Sequence, residues 1–158
     1  MILTDKCMIR SVQANDYDYI KKIYSDKKTR KYLGGTYSDK NIEKIFKDIL
    51  ISKEHYFLVF DKKNNDFVGL VSFTKHHNEV DMELSYQFIS TSWGKGYAYD
   101  SISILLKKVF NDLGLDKLVA ETQKLNKKSC HLLKKLGMTE QERLVRFGAE
   151  QIIFKYYK

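Results

Sequence analysis

Residues 92–98, Ser-Trp-Gly-Lys-Gly-Tyr-Ala, constrain the fold of this 158-residue chain more than any other stretch. Before them, residues 84–88 alternate between apolar and polar side chains, which is typical of a strand with one buried face. From Ala98 onward, apolar residues recur at the spacing of one buried helical stripe, and Gly114 can end that helix in a left-handed conformation. The two glycines therefore lie in a short loop between a strand and the start of a helix.

Such a loop can bind an anion or simply turn the chain. Free N–H groups at a helix start, together with the helix dipole, favour a phosphate, and Lys95 adds a full positive charge. Glycines also supply positive φ in tight connections that bind nothing, so the spacing alone leaves both interpretations open. Two familiar phosphate motifs do not fit. A P-loop has Ser or Thr after Gly-Lys, where this chain has Gly96, and the third glycine of a dinucleotide fingerprint is replaced by Tyr99.

A second motif follows further along the chain, with Asn126, Ser129 and then Leu-Leu-Lys-Lys-Leu-Gly-Met at residues 132–138. The two stretches resemble motifs of the GNAT superfamily of N-acetyltransferases: a pyrophosphate loop of Arg or Gln, two residues, Gly, one residue and Gly or Ala, and a segment Asn-x-x-Ser-x-x-x-Leu-x-x-Leu-Gly-Phe. Trp93 stands at the Arg or Gln position and Met138 at the Phe position. Within the family, Trp-Gly-Lys-Gly-Tyr-Ala resembles the branch that includes ribosomal-protein N-terminal acetyltransferases.

Periodicity along the rest of the chain agrees with the fold that this resemblance implies. Four helices are predicted: one after Asn15-Asp16, one after Ser38-Asp39, the central helix, and one capped by Asn126. Seven strands are predicted, near residues 8–12, 56–60, 67–73, 81–89, 117–121, 141–147 and 151–157. The helical crossover predicts that strands 81–89 and 117–121 are parallel. We therefore expect a single α+β domain over residues 1–158, a GNAT-like mixed sheet of about seven strands flanked by four helices.

Composition restricts the setting in which the chain works. Hydrophobic residues make up 43% of it, which is enough for one core, and no signal-like start or membrane-length apolar run is present. We expect a cytoplasmic protein with no membrane partner. Cys7 and Cys130 form no disulfide framework, and the adjacent His76 and His77 point to opposite sides of a strand, so no metal is expected. The net charge of +8 suits a polyphosphate, an acidic protein or a nucleic acid, but no nucleic-acid motif supports the last.

The resemblance implies acetyl-CoA as the co-substrate. Its pyrophosphate would bind the backbone of Gly94, Lys95, Gly96, Tyr97 and Ala98. Its pantetheine would lie along the strand edge at Phe88, Ile89 and Ser90, where backbone amides pair with it as an added strand does. Asn126 and Ser129 would also reach the co-substrate, although Asn126 serves equally well as a helix cap.

The resemblance also suggests which residues carry the chemistry. Glu83 is the candidate general base, with His76 and His77 as alternatives that we expect in a surface loop. Many relatives use a tyrosine as general acid where this chain has Leu133, so Ser129 becomes the best hydrogen-bond donor to the departing sulfur. Cys130, one position away, is expected to be a small core residue.

The acceptor pocket would be lined by Tyr32, Tyr37, Tyr86 or Gln87, and by the final hairpin near Arg146. The implied function is acetyl transfer to a primary amine, either a peptide N-terminus or a small amine, by direct attack. The alternative, motivated by Leu133, is a non-catalytic acyl-CoA-binding or ribosome-associated module with the same fold. The resemblance leaves a homodimer open.

Overall fold

Eight strands form one mixed sheet, with four helices packed on its faces, in the computed structural model, which describes residues 1–157. The helices are α1 (Tyr17–Tyr24), α2 (Asp39–Ile51), α3 (Tyr97–Asp112) and α4 (Lys127–Lys135). The strands are β1 (Ile2–Leu3), β2 (Cys7–Ser11), β3 (His55–Asp61), β4 (Phe67–Lys75), β5 (Met82–Phe88), β6 (Lys117–Gln123), β7 (Thr139–Arg146) and β8 (Ala149–Tyr157). The predicted α+β class and four helices are confirmed. The additional strand is β1, whose two residues are too few for alternation to reveal.

The sheet has the order β1-β2-β3-β4-β5-β6-β8-β7 and is antiparallel except between β5 and β6. The predicted parallel pairing is confirmed, but within residues 1–157 its register is confined to Glu83 and Val119. β5 remains paired with β4 as far as Phe88, which lies opposite Gly69. The edge of β5 that faces β6 is therefore left open beyond Glu83, and a cleft begins there.

Strand alternation gives the two faces of β5 different neighbours. Leu84 and Phe88 are buried in the same apolar cluster as the inner face of α3 and residues of α4. Gln87 lies on the other face, where it bonds to Arg30 in the segment between α1 and α2. Glu83 lies four residues before Gln87, an even spacing, and so shares that face. The cleft between β5 and β6 is thus lined on one side by the α3/α4 face and on the other by the α1/α2 face.

Two of the three predicted helix caps are confirmed. Ser38 accepts a hydrogen bond from the N–H of Asn41, and Asn126 accepts one from the N–H of Ser129. Asp16 occupies the cap position of α1 without a side-chain cap bond, because its carboxylate pairs with the guanidinium of Arg10 at 2.7 and 2.9 Å. Within the described residues, no helix has the length and apolarity needed to cross a membrane.

Candidate active site

The glycine loop has the open geometry that an anion needs. A 3₁₀ turn at Ser90–Ser92 precedes it, and the indole Nε1 of Trp93 donates to the carbonyl of Phe88 at 2.7 Å. Gly94 and Gly96 have φ values of +74° and +86°, and Gly96 caps α3 without any side-chain hydrogen bond. A Cβ at Gly94 would meet no atom within 4 Å. The space beside Gly94 is therefore open, and the first N–H groups of a helix, which have no partner within the helix, follow directly after it; this arrangement fits a phosphate group.

Charged side chains from distant parts of the chain border this loop. The ammonium of Lys6 donates to the carbonyl of Lys95 at 3.1 Å and lies 3.5 Å from where a Cβ of Gly96 would be. The ammonium of Lys128 lies 5.0 Å from the centre of the Trp93 ring, a cation–π contact between α4 and the loop. Lys6 was not predicted, because about 90 residues separate it from the loop and only the turn before β2 brings it there.

Contacts at the start of α3 hold the loop in place. The side chain of Thr4 and the N–H of Lys6 both bond to the carboxylate of Asp100. The hydroxyl of Tyr97 donates to Asp61 at 2.6 Å, and this bond raises the pKa of Tyr97 to about 12. Tyr97 is one of the predicted cofactor residues. Because its side chain is bonded to Asp61, only its backbone N–H is free to bind a cofactor.

Residues 88–90 already have partners within the protein. The carbonyl of Phe88 accepts from Trp93 and, at 3.0 Å, from the hydroxyl of Thr29. The N–H of Ile89 donates to the carbonyl of Val68 at 3.0 Å, and Ser90 bonds through both N–H and hydroxyl to Asp26. The part of β5 that lacks a β6 partner in the described chain lies between Glu83 and Phe88 and so precedes most of the predicted stretch 88–90, whose role in binding stays a prediction.

The α3/α4 face of the cleft carries a pair of hydroxyl groups. Tyr86 and Ser129 lie 2.5 Å apart, oxygen to oxygen, and burial raises the pKa of Tyr86. Asn126 fixes the position of Ser129 through its cap bond at 3.2 Å. Leu133 is 1% exposed in the core, and Cys130 is buried beside it as expected. Tyr86 was predicted to line the acceptor pocket; the structure brings its hydroxyl to Ser129, on the side of the sheet opposite Glu83.

Glu83 lies on the other face and is largely buried, with 16% of its side chain exposed. Burial, and then the negative charge of Glu121, raise its pKa from 4.5 to about 7. Ser85 donates to Glu83 at 3.4 Å. Glu121 was not predicted, because its place on the same face depends on the pairing of β6 with both β5 and β8.

The expectation that both histidines lie in a surface loop is wrong for His76, which is 3% exposed. The N–H of His76 donates to the carbonyl of Asp81 at 2.9 Å, which closes the loop between β4 and β5 and directs the ring inward. Its Nε2 lies 3.8 Å from Glu83. His77 is exposed, and its ring lies 5.3 Å from that of Phe147 at the tip of the β7–β8 hairpin.

The segment between α1 and α2 is held by Arg30, which is 5% exposed. Its guanidinium contacts the rings of both Tyr24 and Tyr37, at 4.9 and 5.1 Å, and these two rings also pack against each other with their centres 5.8 Å apart. It donates to Gln87 on β5 at 2.9 Å and to the carbonyl of Gly35 at 2.8 Å. Tyr37 is 41% exposed at the rim, and the ring of Tyr32 lies 5.2 Å from the ammonium of Lys31. Arg30 was not predicted, because its role depends on contacts with β5.

A sheet opened between parallel strands, with a glycine loop at the start of a helix, is typical of proteins that bind a phosphate-bearing co-substrate through main-chain groups. Residues 6–139 match the family model described as acetyltransferase (GNAT) domain. The chain belongs to the GNAT acetyltransferase family. It is therefore an acyltransferase enzyme of a family that uses acetyl-CoA.

Related proteins and structures agree with this family. An uncharacterized N-acetyltransferase YnaD of Bacillus subtilis is 24% identical over 138 residues, which is 87% of this chain and 81% of the relative. A GNAT-family acetyltransferase structure from Bacillus anthracis has a TM-score of 0.85 at 21% identity, covering 99% of this chain and 97% of that one. Spermidine N-acetyltransferase from Vibrio cholerae, in complex with CoA and spermine, has a TM-score of 0.82 at 21% identity, covering 96% and 95%. None of these matches distinguishes the ribosomal-protein branch, which stays a prediction.

Proposed function

We propose that this enzyme transfers the acetyl group of acetyl-CoA to a primary amine, with the two substrates meeting from opposite faces of the sheet. The observation that carries the proposal is the cleft between β5 and β6. On one side lie the hydroxyls of Tyr86 and Ser129, and on the other lie the carboxylates of Glu83 and Glu121. An acyl donor on the α3/α4 face and an amine on the α1/α2 face would then have access to the same opening.

Binding of the donor rests mainly on main-chain groups. The N–H groups of residues 94–98 would hold the pyrophosphate, with charge added by Lys95 and by the unpredicted Lys6. The pantetheine would follow the open edge of β5 toward Phe88, Ile89 and Ser90. Asn126 would act through Ser129, since the cap bond between them uses its side-chain oxygen.

Glu83 is the residue we assign as general base. Acetyl-CoA supplies an activated thioester, but an amine at neutral pH is mostly an ammonium ion and must first lose a proton. A carboxylate with a pKa of about 7 is a stronger base than an ordinary glutamate, and about half of it is ionised at neutral pH and so ready to accept a proton. Burial and Glu121 therefore tune Glu83 for this proton transfer.

Ser129 and Tyr86 would serve the departing sulfur. Ser129 would donate a hydrogen bond to it, and Tyr86, kept protonated by its raised pKa, would donate in turn to Ser129. Leu133, at the place of the usual tyrosine, lies in the core and takes no part.

The acceptor is best sought among small cationic amines. The acceptor side of the cleft carries the carboxylates of Glu83 and Glu121; Arg146, 3.6 Å from Glu121, offsets the charge of the latter, so Glu83 is the carboxylate left to attract an ammonium group. Tyr37 and Tyr32 lie in the segment between α1 and α2 and add aromatic surface for an aliphatic amine. A structure of the same fold is named as a spermidine N-acetyltransferase, so polyamines come first and peptide N-termini second.

A thiol-release assay with acetyl-CoA over polyamines, peptides, aminoglycosides and amino acids tests this function. We expect turnover with at least one primary amine, lost in Glu83→Gln and retained in Glu142→Gln, a matched change on the exposed strand β7. Calorimetry should show that both variants still bind acetyl-CoA. If acetyl-CoA binds and no amine class releases thiol, the proposal fails and a non-catalytic acyl-CoA-binding module takes its place.

A further inference from the structure

His76 lies between two carboxylates that come from different strands. Its Nε2 is 3.8 Å from Glu83 Oε2 and 3.9 Å from Glu121 Oε2. Within residues 1–157, neither Nε2 nor Glu121 Oε1 has a hydrogen-bond partner, although both atoms are buried. Native proteins rarely bury two such atoms side by side without a functional reason. Three titratable side chains, those of His76, Glu83 and Glu121, therefore meet in one largely buried cluster in which a proton can be held.

The second ring nitrogen fixes the tautomer of the neutral imidazole. Nδ1 of His76 accepts a hydrogen bond from the N–H of Asn78 at 3.3 Å. A ring nitrogen that accepts carries no proton, so the proton of the neutral ring is on Nε2. This N–H faces Glu83 and Glu121. At 3.8 and 3.9 Å the carboxylates are beyond hydrogen-bond distance, so the positive end of this N–H favours negative charge on them through its electrostatic field, and a role as the base itself does not fit.

The charged and polar groups around Glu83 oppose one another. Glu121 on β6 disfavours the ionised form of Glu83, because two carboxylates in one low-dielectric site repel. The hydroxyl of Ser85, which donates to Glu83, and the charge of Arg146 on β7, which lies 3.6 Å from Glu121, favour the ionisation of Glu83. Glu83 thus has one neighbour, Glu121, that disfavours its ionised form, and neighbours on β5, on β7 and in the β4–β5 loop that favour it.

We propose that His76 and Glu121 are positioning residues which act on Glu83 in opposite directions and together fix the pH range in which it accepts the amine proton. The proposal rests on the function assigned to Glu83 above. Overall, an ammonium acceptor loses two protons when it becomes an amide. One is bound by the Glu83 carboxylate, which later releases it to solvent, and the other leaves with the sulfur as thiol.

Two substitutions of nearly constant size separate the opposing effects. Glu121→Gln removes the repulsive charge, so Glu83 should titrate at lower pH and the acidic limb of kcat/KM should move down with it. His76→Leu removes the donor, so both should move up. We expect shifts of at least about half a pH unit in each direction. His76→Gln keeps an N–H donor and should return the limb toward the wild-type position.

The titration is measured directly by NMR on protein labelled with ¹³C at the glutamate carboxyl carbon, with Glu83→Gln identifying the signal. Glu142→Gln is the control and should leave the Glu83 signal and the pH profile in place. Shifts in the same direction for Glu121→Gln and His76→Leu, or no shift of the Glu83 signal, overturn the proposal. General loss of stability cannot produce opposite shifts.

The NMR readout keeps the two proposals apart. If the Glu83 signal moves as expected and the pH profile of acetyl transfer does not follow, the assignment of Glu83 as base is overturned and the influence of its neighbours is upheld. If Glu121→Gln fails to fold, Glu121→Thr takes its place, because it also removes the negative charge and a β-branched residue suits strand β6; it should move the Glu83 titration downward, opposite to His76→Leu.

Discussion

The hydroxyl oxygens of Tyr86 and Ser129 lie 2.5 Å apart and join β5 to the first turn of α4. The bond places a tyrosine hydroxyl on the α3/α4 face although position 133, one turn further along α4, holds a buried leucine. Tyr86, on strand β5, can therefore supply the tyrosine hydroxyl that α4 lacks at position 133. The contribution of the pair to turnover can be measured with substitutions that remove one hydroxyl each.

Tyr86→Phe should lower kcat about 10-fold, because the departing sulfur loses a supported donor, with little change in the KM for acetyl-CoA. Ser129→Ala should have a similar effect, and the double variant should be no slower than the slower single one, since both changes break the same bond. Steady-state thiol release measures all three. Tyr99→Phe, an exposed tyrosine on α3, is the matched control. An unchanged kcat in Tyr86→Phe would remove the pair from the mechanism.

Gly96→Ala should weaken CoA binding at least about 10-fold, and Gly96→Asp should abolish it. A side chain there is strained at a φ of +86° and meets Lys6 at 3.4 Å, and an aspartate adds repulsion toward phosphate. Isothermal titration calorimetry measures the affinity. Gly148→Ala has a similar φ of +71° in the β7–β8 hairpin with nothing nearby, so it should lose comparable stability and keep its affinity. Equal affinities in all variants would show that the phosphate lies elsewhere.

Lys6→Met should weaken CoA binding by about 3- to 10-fold at low salt, and by less at high salt, because the ammonium beside Gly96 acts over a short, screened distance. Methionine keeps the aliphatic length of the side chain. Lys44→Met, on the exposed face of α2, is the control. Calorimetric titrations at two ionic strengths measure the effect, and a salt-independent loss of affinity would indicate a structural role for Lys6.

Glu83→Gln should change how stability depends on pH. The folded protein raises the pKa of Glu83 from 4.5 to about 7, so proton binding favours the folded state. This stabilisation is complete below pH 4.5 and is lost as pH rises through about 7. Relative to wild type, the variant should therefore gain about 3 kcal/mol of unfolding free energy between these limits. Urea denaturation at several pH values tests it, with Glu142→Gln as control; a difference that is flat with pH contradicts the burial of an ionising Glu83.

Arg30→Lys should destabilise the protein by about 2 kcal/mol, because an ammonium cannot replace the cation–π contacts of the guanidinium with Tyr24 and Tyr37 together with its bonds to Gln87 and two carbonyls. It should also raise the KM for the amine more than that for acetyl-CoA, since the loop that Arg30 holds lies on the acceptor side. Urea denaturation and steady-state kinetics measure the two effects. Equal changes in both KM values would argue against an acceptor role for this loop.

Local chemistry explains what the sequence could predict. The helices, the caps at Ser38 and Asn126 and the glycine loop depend on neighbours within a few residues, so spacing and residue type were sufficient. The hydrogen bond between Ser129 and Tyr86 could not be predicted, because the two residues are 43 positions apart in the chain and meet only in the folded protein.

The missed site residues depend on long-range packing. His76 looks like a loop histidine until the bond to Asp81 turns its ring toward Glu83 and Glu121. Neither Lys6 nor Arg30 belongs to a local motif. Lys6 has a role only because the turn between β1 and β2 brings it to Lys95 in the glycine loop, and Arg30 only because the segment between α1 and α2 brings it to Gln87 on β5. Sequence patterns identify the elements, and only the assembled sheet identifies these neighbours.

The confined pairing of Glu83 with Val119 divides the sheet mechanically. Strands β1 to β5 form one antiparallel block and β6 to β8 form another. In the part of the chain that the structure describes, the two blocks are joined at one end only, by the single pair of Glu83 and Val119. An acyl chain that enters the opening can spread the blocks without breaking ladder hydrogen bonds inside either one. Glu83 is itself one residue of the joining pair, so a movement of the blocks would change the surroundings of the carboxylate that takes the proton.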